Sequence, residues 1–256
     1  MNRLISSVLT TPTITSFMRC SRANLSSSTV LRPVTHVIFD LDGLILDTEH
    51  IYESSVRDIC KSYGKEYPWD VRMKVMGTTE QRSAEIVINE LNLPINIQQF
   101  LTMQEDICRK KFIKLNVLSG ADRLIYHLHE TRVPFCLATS SGKEMAELKM
   151  SSHQKLFELF NHKVMGSTDP EVKIGKPAPD IFLIAAQRFH DQPHPSQCLV
   201  FEDSPNGVKA AISAGMQSVM VPDKIVEPEK RKEATVVLES LEHFKPEHFG
   251  LPAFKN

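Results

Sequence analysis

The sequence has little that would place the protein in a membrane, on a nucleic acid or among disulfide-stabilised folds. No apolar run approaches the roughly 18 residues that suggest a membrane span. The formal net charge of −1 gives no support to polyanion binding. The five cysteines never occur in CxxC spacing, so we expect free thiols in a reducing compartment. The histidines show no metal-ligand spacing, and a composition of 41% hydrophobic and 24% charged residues is typical of globular proteins.

Acidic residues are absent before Asp40, which sets the start of the chain apart from the rest. The first 32 residues contain four arginines, many serines and threonines, and a few apolar residues that could line one face of a short helix. Residues 1–33 are therefore predicted to be an N-terminal extension, either a mitochondrial transit peptide or a disordered tail without an address. The first alternative predicts a mitochondrial protein and the second a cytoplasmic one.

The first strong signal of function is the stretch HVIFDLDGLILDTE, residues 36–49. An apolar run predicts a buried strand ending at Asp40, and a second acid, Asp42, follows before Gly43. Side chains two positions apart on a strand face the same way, with Cα atoms about 6–7 Å apart. Unpaired buried carboxylates are costly, so core packing does not explain the pair, and Gly43 lets the backbone leave the sheet. The pattern indicates a cation or a reaction at this strand end.

Downstream, the chain divides into a helical block and an alternating block. Residues 49–117 show helical periodicity and no convincing strand, which predicts an inserted, small all-helical domain. Beyond residue 118, strands alternate with helices, which predicts right-handed crossovers and a parallel sheet covered on both faces. We therefore predict an α/β fold, with a doubly wound, Rossmann-like parallel sheet formed by residues 34–48 and 118–256. The predicted later strands span residues 134–139, 162–165, 198–202, 218–221 and 235–238.

Polar side chains from four separate segments fall at the predicted carboxyl ends of these strands or in the loops beyond them. Ligands of open parallel sheets bind at that edge. Acids, hydroxyls and one lysine would meet there, which suits a divalent cation together with a phosphate. These residues are Asp40, Asp42, Thr139, Ser140, Ser141, Lys176, Glu202 and Asp203.

This convergence predicts phosphoryl transfer to a carboxylate. Asp40, at the strand terminus, is the candidate nucleophile. Asp42 is the candidate acid–base group that protonates the leaving oxygen and then deprotonates the attacking water. Thr139, Ser140 and nearby backbone amides would bind phosphate oxygens, while Lys176 supplies a fixed positive charge.

Magnesium is the predicted cofactor, because it prefers oxygen ligands and neutralises phosphate charge. Asp40 and Asp203 are predicted to bind it through their carboxylates. Asp42 is also assigned to the metal site, and Glu202 would act through a bound water.

Each signal has an ordinary alternative when it is taken alone. A lone DxDG could belong to a calcium loop, but Leu44 and Ile45 stand where further ligands and the loop glycine would be. Thr-Ser-Ser is more often a turn, and Lys176 more often a solvated surface lysine. Glu202 and Asp203 could equally be a helix N-cap pair. The order of the segments and their shared placement favour the catalytic interpretation.

The four segments resemble the four motifs of the haloacid dehalogenase-like phosphohydrolase superfamily. The matching strings are DLDGLILDTE, LATSS, GKPAPD and FEDSPNG, and the resemblance covers about residues 34–221. It implies that Asp40 is the nucleophile and Asp42 the acid–base group. The presence of Asp42 argues against the dehalogenase branch itself, which lacks the second acid. The helical block, residues 49–117, resembles the mobile cap domain of the family.

The cap is predicted to read the leaving group through its tip, at Gly77 and Glu80, together with Thr48 and Glu49. Mutases related to β-phosphoglucomutase carry a histidine where this chain has Tyr52 and an arginine where it has Glu80. An acid at the second position should repel a second phosphate. The resemblance therefore favours hydrolysis of a monophosphate over relocation of the phosphate.

The predicted partner is a small-molecule phosphomonoester, with a nucleoside monophosphate favoured, and the protein is expected to be a monomer with no nucleic-acid or membrane partner. A sugar or polyol phosphatase and a mutase-like enzyme remain alternatives, because the motif residues do not see the leaving group. A catalytically retired module that binds a phosphorylated ligand or a protein is a further alternative. The presence of every motif residue disfavours it.

Overall fold

A six-stranded parallel sheet forms the centre of the computed structural model, which describes residues 31–75 and 80–255. The spatial order of the strands is β3-β2-β1-β4-β5-β6, so the first strand in sequence lies near the middle of the sheet. This order confirms the predicted doubly wound α/β fold. The strands are β1 (His36–Phe39), β2 (Phe135–Thr139), β3 (Lys163–Met165), β4 (Cys198–Glu202), β5 (Gln217–Met220) and β6 (Val236–Val237).

Strand β1 is buried because it has a parallel neighbour on each side. Val37 pairs with Phe135 of β2 on one side and with Leu199 of β4 on the other. Alternate side chains of a strand face opposite ways, so Val37 and Phe39 join one hydrophobic cluster and Ile38 joins the other. A strand with apolar residues on both faces needs helices above and below it.

Four helices follow β1 and form the inserted block. They are α1 (Glu49–Ser62), α2 (Trp69–Val75), α3 (Glu80–Leu91) and α4 (Ile97–Lys111), and the chain continues into a 3-10 turn at Phe112–Lys114. Their buried apolar residues, among them Ile59, Val87 and Phe100, form a hydrophobic cluster of their own. Within the described residues 49–75 and 80–117 no strand occurs, as predicted. Gly77 lies outside the described residues.

The remaining helices cover the two faces of the sheet. They are α5 (Ala121–Glu130), α6 (Lys143–Met150), α7 (Gln154–Phe157), α8 (Asp180–Gln187), α9 (Pro205–Ser213) and α10 (Pro228–Arg231). Helices α5, α6 and α7 contribute to the cluster on the Phe39 face, and α8 and α9 to the cluster on the Ile38 face.

Some local predictions need correction. Thr48, a residue type that commonly caps helices, occupies the N-cap position of α1, but its hydroxyl makes no cap hydrogen bond. The strand expected over residues 235–238 is only two residues long, because β6 lies at the edge of the sheet and pairs with β5 alone. The transit-peptide prediction concerns residues that lie outside the described part of the chain.

Cysteines 60, 108, 136 and 198 are free and buried, in agreement with the sequence. Across the described residues, no helix combines the length and the apolar character that crossing a bilayer requires.

Candidate active site

The functional side chains meet at the carboxyl edge of the sheet because three adjacent parallel strands end there. Asp40 follows β1, Thr139 is the last residue of β2, and Glu202 is the last residue of β4. Asp40 donates its backbone N–H to the carbonyl of Phe201, which continues the β1–β4 pairing to the point where the chain turns away. The side chains of Asp40, Thr139 and Glu202 are buried.

A buried lysine links two of these carboxylates. Lys176 Nζ donates to Asp40 Oδ1 at 2.6 Å and to Glu202 Oε1 at 2.6 Å. Its third contact is the carbonyl of Ala138, at 3.1 Å. Burial alone would lower the pKa of Lys176, but the charges of Asp40 and Glu202 outweigh it and raise that pKa. Lys176 is therefore a permanent positive charge between two acids, and not the solvated surface lysine of the ordinary alternative.

Glu202 is held from its other side by the start of α9. Its Oε2 accepts hydrogen bonds from the Ser204 N–H at 3.2 Å and the Ser204 hydroxyl at 3.0 Å. The same hydroxyl accepts from the Gly207 N–H at 3.1 Å and so caps the helix. The partial positive charge of a helix N-terminus favours a carboxylate there. Glu202 is thus fixed by donors on both oxygens.

Asp203 completes a group of three acids. One carboxylate oxygen from each of Asp40, Glu202 and Asp203 lies within 4.8 Å of the others. Burial raises the pKa of Asp40 to about 7, with Glu202 and Asp42 adding to the effect and Lys176 opposing it. Burial, together with Glu202 and Asp40, also raises the pKa of Asp203 well above its usual range. One ammonium does not neutralise two buried acids and a half-buried one, so this all-oxygen donor set fits a divalent cation.

Gly43 makes room for this group. Its φ is +73°, and a Cβ at this position would overlap with the Asp203 carboxylate. The DxDG motif therefore needs glycine at this position for two reasons. The backbone is in the left-handed conformation, and the Asp203 carboxylate lies where a side chain would begin.

The Asp42 side chain does not join the three acids, so its carboxylate does not lie with those of Asp40 and Asp203 in the predicted metal site. Lys149 Nζ donates to Asp42 Oδ1 at 2.6 Å, while Ser141 Oγ donates to Oδ2 at 3.0 Å and Thr139 Oγ1 to the same oxygen at 3.4 Å. Burial would raise the pKa of Asp42, but the Lys149 charge and hydrogen bonds from Lys149 and Ser141 hold it below its usual range. This carboxylate therefore has donors on both of its oxygens.

One of these donors, Lys149, was not among the predicted site residues, and Ser141 was placed at the strand end without an assigned role. Lys149 lies on α6, and its side chain is fully buried. A signal existed, because Ala146, Lys149 and Met150 are spaced i, i+3, i+4 and lie on the buried face of the helix. A lysine on such a face needs a partner. Ser141 stood in the Thr-Ser-Ser string, but its spacing could not show which hydroxyl would face Asp42.

The predicted phosphate-binding hydroxyls divide into a buried and an exposed one. Thr139 is fully buried, and its Oγ1 also accepts the Ser141 N–H at 3.1 Å. Ser140 is exposed, and its carbonyl accepts a hydrogen bond from Ser167 Oγ at 2.6 Å. The backbone amides of this turn therefore lie beside Thr139 at the strand end.

The predicted leaving-group residues lie around the start of the inserted block. Thr48 is fully buried, and its hydroxyl lies beside the Asp42 carboxylate. Glu49 packs close to Gly43, since its Cγ would lie 3.4 Å from a Cβ at that position. Glu80 is the exposed first residue of α3. Gly77, the fourth predicted residue, falls outside the described residues.

An α/β enzyme with acids and a buried lysine at the carboxyl edge of a parallel sheet is the class that this fold and site define. The sequence model of the haloacid dehalogenase-like hydrolase family matches residues 37–221. The chain belongs to this family, which confirms the resemblance of the four motifs.

Similar proteins are phosphatases, and the chain is a phosphatase of this family. It is 54% identical to a Drosophila melanogaster protein named "Probable pseudouridine-5'-phosphatase", over 88% of this chain and 97% of that protein. It is 42% identical to "(DL)-glycerol-3-phosphatase 1, mitochondrial" of Arabidopsis thaliana, over 87% of this chain and 76% of that one.

A solved structure supports the fold independently. The crystal structure of a haloacid dehalogenase-like hydrolase from Entamoeba histolytica superposes with a TM-score of 0.71, covering 84% of this chain and 97% of that one. Its sequence identity is 21%, so this likeness concerns the architecture only.

Proposed function

We propose that this phosphatase is a Mg²⁺-dependent phosphomonoester hydrolase that carries the phosphoryl group on Asp40. The observation that supports this best is the pairing of Lys176 with both Asp40 and Glu202, beside Asp203. Lys176 binds Asp40 at Oδ1, whereas no donor within the described residues 31–75 and 80–255 binds Oδ2. The second oxygen is therefore available to attack phosphorus.

The proposed magnesium ligands are the carboxylates of Asp40 and Asp203, with Glu202 close enough to bind directly or through a water. Bound Mg²⁺ would supply charge neutralisation for the phosphoryl oxygens. Asp42 is left out of this ligand set, because its carboxylate is occupied by Lys149 and Ser141.

In the first half of the proposed reaction, an Asp40 oxygen forms a bond to phosphorus as the bond from phosphorus to the leaving oxygen breaks. Asp42, which Lys149 and Ser141 keep ionised before substrate binds, takes up the proton of the bound phosphate monoanion and gives it to that oxygen. Lys176 balances the charge of the incoming phosphate, and Thr139 with the adjacent backbone amides binds its oxygens. The product of this half is an aspartyl phosphate and a free alcohol.

In the second half, Asp42 takes a proton from water as the water oxygen bonds to phosphorus and the bond to Asp40 breaks. Free phosphate leaves, and Asp40 is regenerated as a carboxylate. Closure of the inserted helices over the site would exclude bulk water while the aspartyl phosphate exists. Thr48 and Glu49, at the hinge side of that block, are proposed to contact the leaving group, together with Gly77 and Glu80.

Pseudouridine 5'-phosphate is the proposed substrate. The support is the 54% identity to the Drosophila protein named for that activity, which extends over 88% of this chain and 97% of that protein. Glycerol phosphate is the second candidate, supported by the 42% identity to the Arabidopsis protein. Only the alcohol differs between the two reactions.

The test is phosphate release with Mg²⁺ from four compounds side by side: pseudouridine 5'-phosphate, uridine monophosphate, glycerol 3-phosphate and β-glucose 1-phosphate. We expect pseudouridine 5'-phosphate to have the highest kcat/KM, by roughly tenfold or more. Chelation of the metal should abolish turnover, and added Mg²⁺ should restore it. Asp40→Asn should reduce turnover by more than about 1,000-fold. A faster reaction with glycerol 3-phosphate would replace the first substrate by the second, and turnover by Asp40→Asn would remove Asp40 as nucleophile.

Compartment and oligomeric state are further proposals. Cytoplasm and mitochondrion both stay open; the Arabidopsis relative is named mitochondrial. Determining the N-terminal residue of the mature protein from cells would distinguish them. The protein is proposed to act as a monomer, which light scattering of the purified chain would test.

A further inference from the structure

A second buried lysine lies between the sheet domain and the inserted helices. Lys149 projects from α6, and its side chain has no exposed surface. Burying a lysine is expensive unless its charge is paired and its donors are used. Lys176 has its partners in the proposed phosphate site, whereas Lys149 has no assigned role in that chemistry.

All three ammonium protons of Lys149 have acceptors. Nζ lies 2.6 Å from Asp42 Oδ1, 2.8 Å from Tyr52 Oη and 2.9 Å from Ser141 Oγ. A lysine ammonium has three donors and no acceptor, so none remains for a substrate phosphate. In the described arrangement Lys149 therefore does not bind a substrate phosphate, and its charge is paired with that of Asp42.

The surroundings of Lys149 restrict its position further. The ammonium lies 5.2 Å from the ring centre of Tyr52 and 5.0 Å from that of Phe112. Tyr52 belongs to the first inserted helix, and Phe112 follows the last one. Both segments that connect the inserted block to the sheet domain therefore pack against this side chain.

We propose that Lys149 is a positioning residue that holds the Asp42 carboxylate in place for proton transfer and ties its position to the inserted helices through Tyr52. This inference rests on the proposed acid–base function of Asp42. Ser141 supports the same carboxylate, because it donates to Oδ2 while Lys149 donates to Oδ1. Two donors on two oxygens fix the plane of the carboxylate as well as its location.

The experiment compares two leaving groups. p-Nitrophenolate leaves without taking up a proton, whereas the alkoxide of pseudouridine 5'-phosphate needs one. Loss of Asp42 function should therefore slow phosphoryl transfer to Asp40 from the alkyl ester only. Rapid mixing separates this step from later hydrolysis, since p-nitrophenol appears in a burst when the aspartyl phosphate accumulates.

Asp42→Asn is the reference variant, and it should lower the rate of transfer from pseudouridine 5'-phosphate by about 100-fold or more. We expect Lys149→Met to lower the same rate by about 10–100-fold with little change in KM. The p-nitrophenol burst rate should stay within about threefold in both variants. Lys155→Met, which removes an exposed lysine on the neighbouring helix α7, should leave both rates unchanged.

The double variant Asp42→Asn/Lys149→Met decides whether Lys149 acts through Asp42. If it does, the double variant should be no slower than Asp42→Asn alone. Multiplied effects, or an equal loss with both leaving groups, would overturn the inference. If Asp42→Asn itself shows no dependence on the leaving group, the proposed function of Asp42 fails instead.

Two milder variants keep the inference testable if Lys149→Met does not fold. Tyr52→Phe and Ser141→Ala each remove one partner of Lys149 and leave its bond to Asp42. Both variants should slow transfer from pseudouridine 5'-phosphate more than the p-nitrophenol burst, by a smaller factor than Lys149→Met does. If these folded variants slowed transfer from both esters by the same factor, the inference would be contradicted.

Discussion

Gly207 has no side chain because the carboxylate of Glu202 lies where one would be. A Cβ built on Gly207 would overlap with the Glu202 carboxyl carbon and both of its oxygens. The glycine lies in the first turn of α9, where its N–H is also capped by Ser204. Because Gly207 carries only a hydrogen atom here, the Glu202 carboxylate can lie against α9 and bind Lys176.

The change Gly207→Ala should therefore disturb the site from a residue that takes no part in the chemistry. The added methyl group would push Glu202 off Lys176, and overpacking of this kind costs about 1–3 kcal/mol of unfolding free energy. Because misplacement by about 1 Å can cost up to a hundredfold in rate, we expect kcat/KM to fall at least tenfold. Steady-state kinetics and thermal unfolding of the same preparation measure both effects.

Gly175→Ala is the matched control, since a Cβ there has no neighbour within 4 Å although the residue precedes Lys176. It should keep the activity of the wild type. If Gly207→Ala were as active and stable as Gly175→Ala, Glu202 would not need its observed position.

Single residues were predictable from the sequence where a motif carries them. Asp40, Lys176 and Glu202 could be named because parallel strands deliver their ends to one edge, and the structure brings these three together. Lys149 could not be assigned in this way. It comes from the middle of a helix, and its partner Asp42 is 107 positions away in sequence, so only the folded packing shows that the two meet.

At the scale of elements, the loop between β3 and α8 determines where Lys176 lies. Asp180, the first residue of α8, accepts the backbone N–H groups of Lys173 and Ile174 with Oδ2, at 3.0 Å each. Arg188 at the other end of α8 binds both oxygens of Asp169, at 2.5 and 2.9 Å. Helix α8 and the residue that follows it therefore hold the loop at two places, at Asp169 and at the backbone of Lys173 and Ile174.

Asp180→Ala should loosen the loop without touching the active site. Lys173 and Ile174 would lose their acceptor, so Lys176 would no longer be held at its observed distance from Asp40. We expect kcat/KM to fall by about tenfold and amide hydrogen exchange to increase over residues 166–179. The increase should be local, because the sheet pairing of β3 does not depend on Asp180.

Asp180→Asn is the conservative control, since its amide oxygen can accept the same two N–H groups. It should retain most of the activity and of the exchange protection. Equal losses in both variants would show that charge at the start of α8, and not the hydrogen bonds to the loop, is what matters.

Elements were easier to predict than their ends. The alternation of apolar strands with helical periodicity was sufficient to predict the parallel sheet and the helical insertion, but not the spatial order of the strands. The ends depend on contacts that a local pattern does not contain. Helix α4 ends at Lys111, within the stretch of helical periodicity, and the chain tightens into a 3-10 turn, where Phe112 packs into the main hydrophobic cluster.

At the scale of the whole molecule, two connections join the inserted helices to the sheet domain. Leu46 and Val117 form an isolated antiparallel bridge where these connections pass each other. We propose that the domain boundaries lie here, near residues 48 and 118. An ion pair between Arg109 and Glu144 also spans the two parts, at 2.7 Å, but Glu144 is largely exposed, and such pairs contribute little. The buried contacts of Lys149 are the stronger tie.

The opposite end of the sheet contains a pH-sensitive element. The rings of His36 and His162 both pack edge-on against Phe189, at 4.6 and 4.7 Å. Burial lowers the pKa of His36, with the charge of Asp191 opposing it. Burial also lowers the pKa of His162, although its hydrogen bond to the Ala185 carbonyl opposes the shift. Both rings are therefore more readily protonated in the unfolded chain.

The sign of the pH dependence follows from this difference. A histidine with a lower pKa in the folded state favours folding above its unfolded pKa of about 6.5, and this contribution is lost as the pH falls below that value. The raised pKa values of Asp40 and Asp203 act in the opposite direction over the same range. The total pH dependence therefore mixes the two effects, and only a comparison of variants isolates the histidines.

We predict that the double variant His36→Gln/His162→Gln loses less unfolding free energy than the wild type between about pH 7.5 and pH 5.5. Urea unfolding at the two pH values measures this difference, and the contributions of the carboxylates cancel in it. His248→Gln, a change at an exposed histidine, should behave as the wild type. If the double variant had the same pH dependence as His248→Gln, the two rings around Phe189 would bind protons equally well in the folded and unfolded chain. Their burial would then have no effect on stability in this pH range.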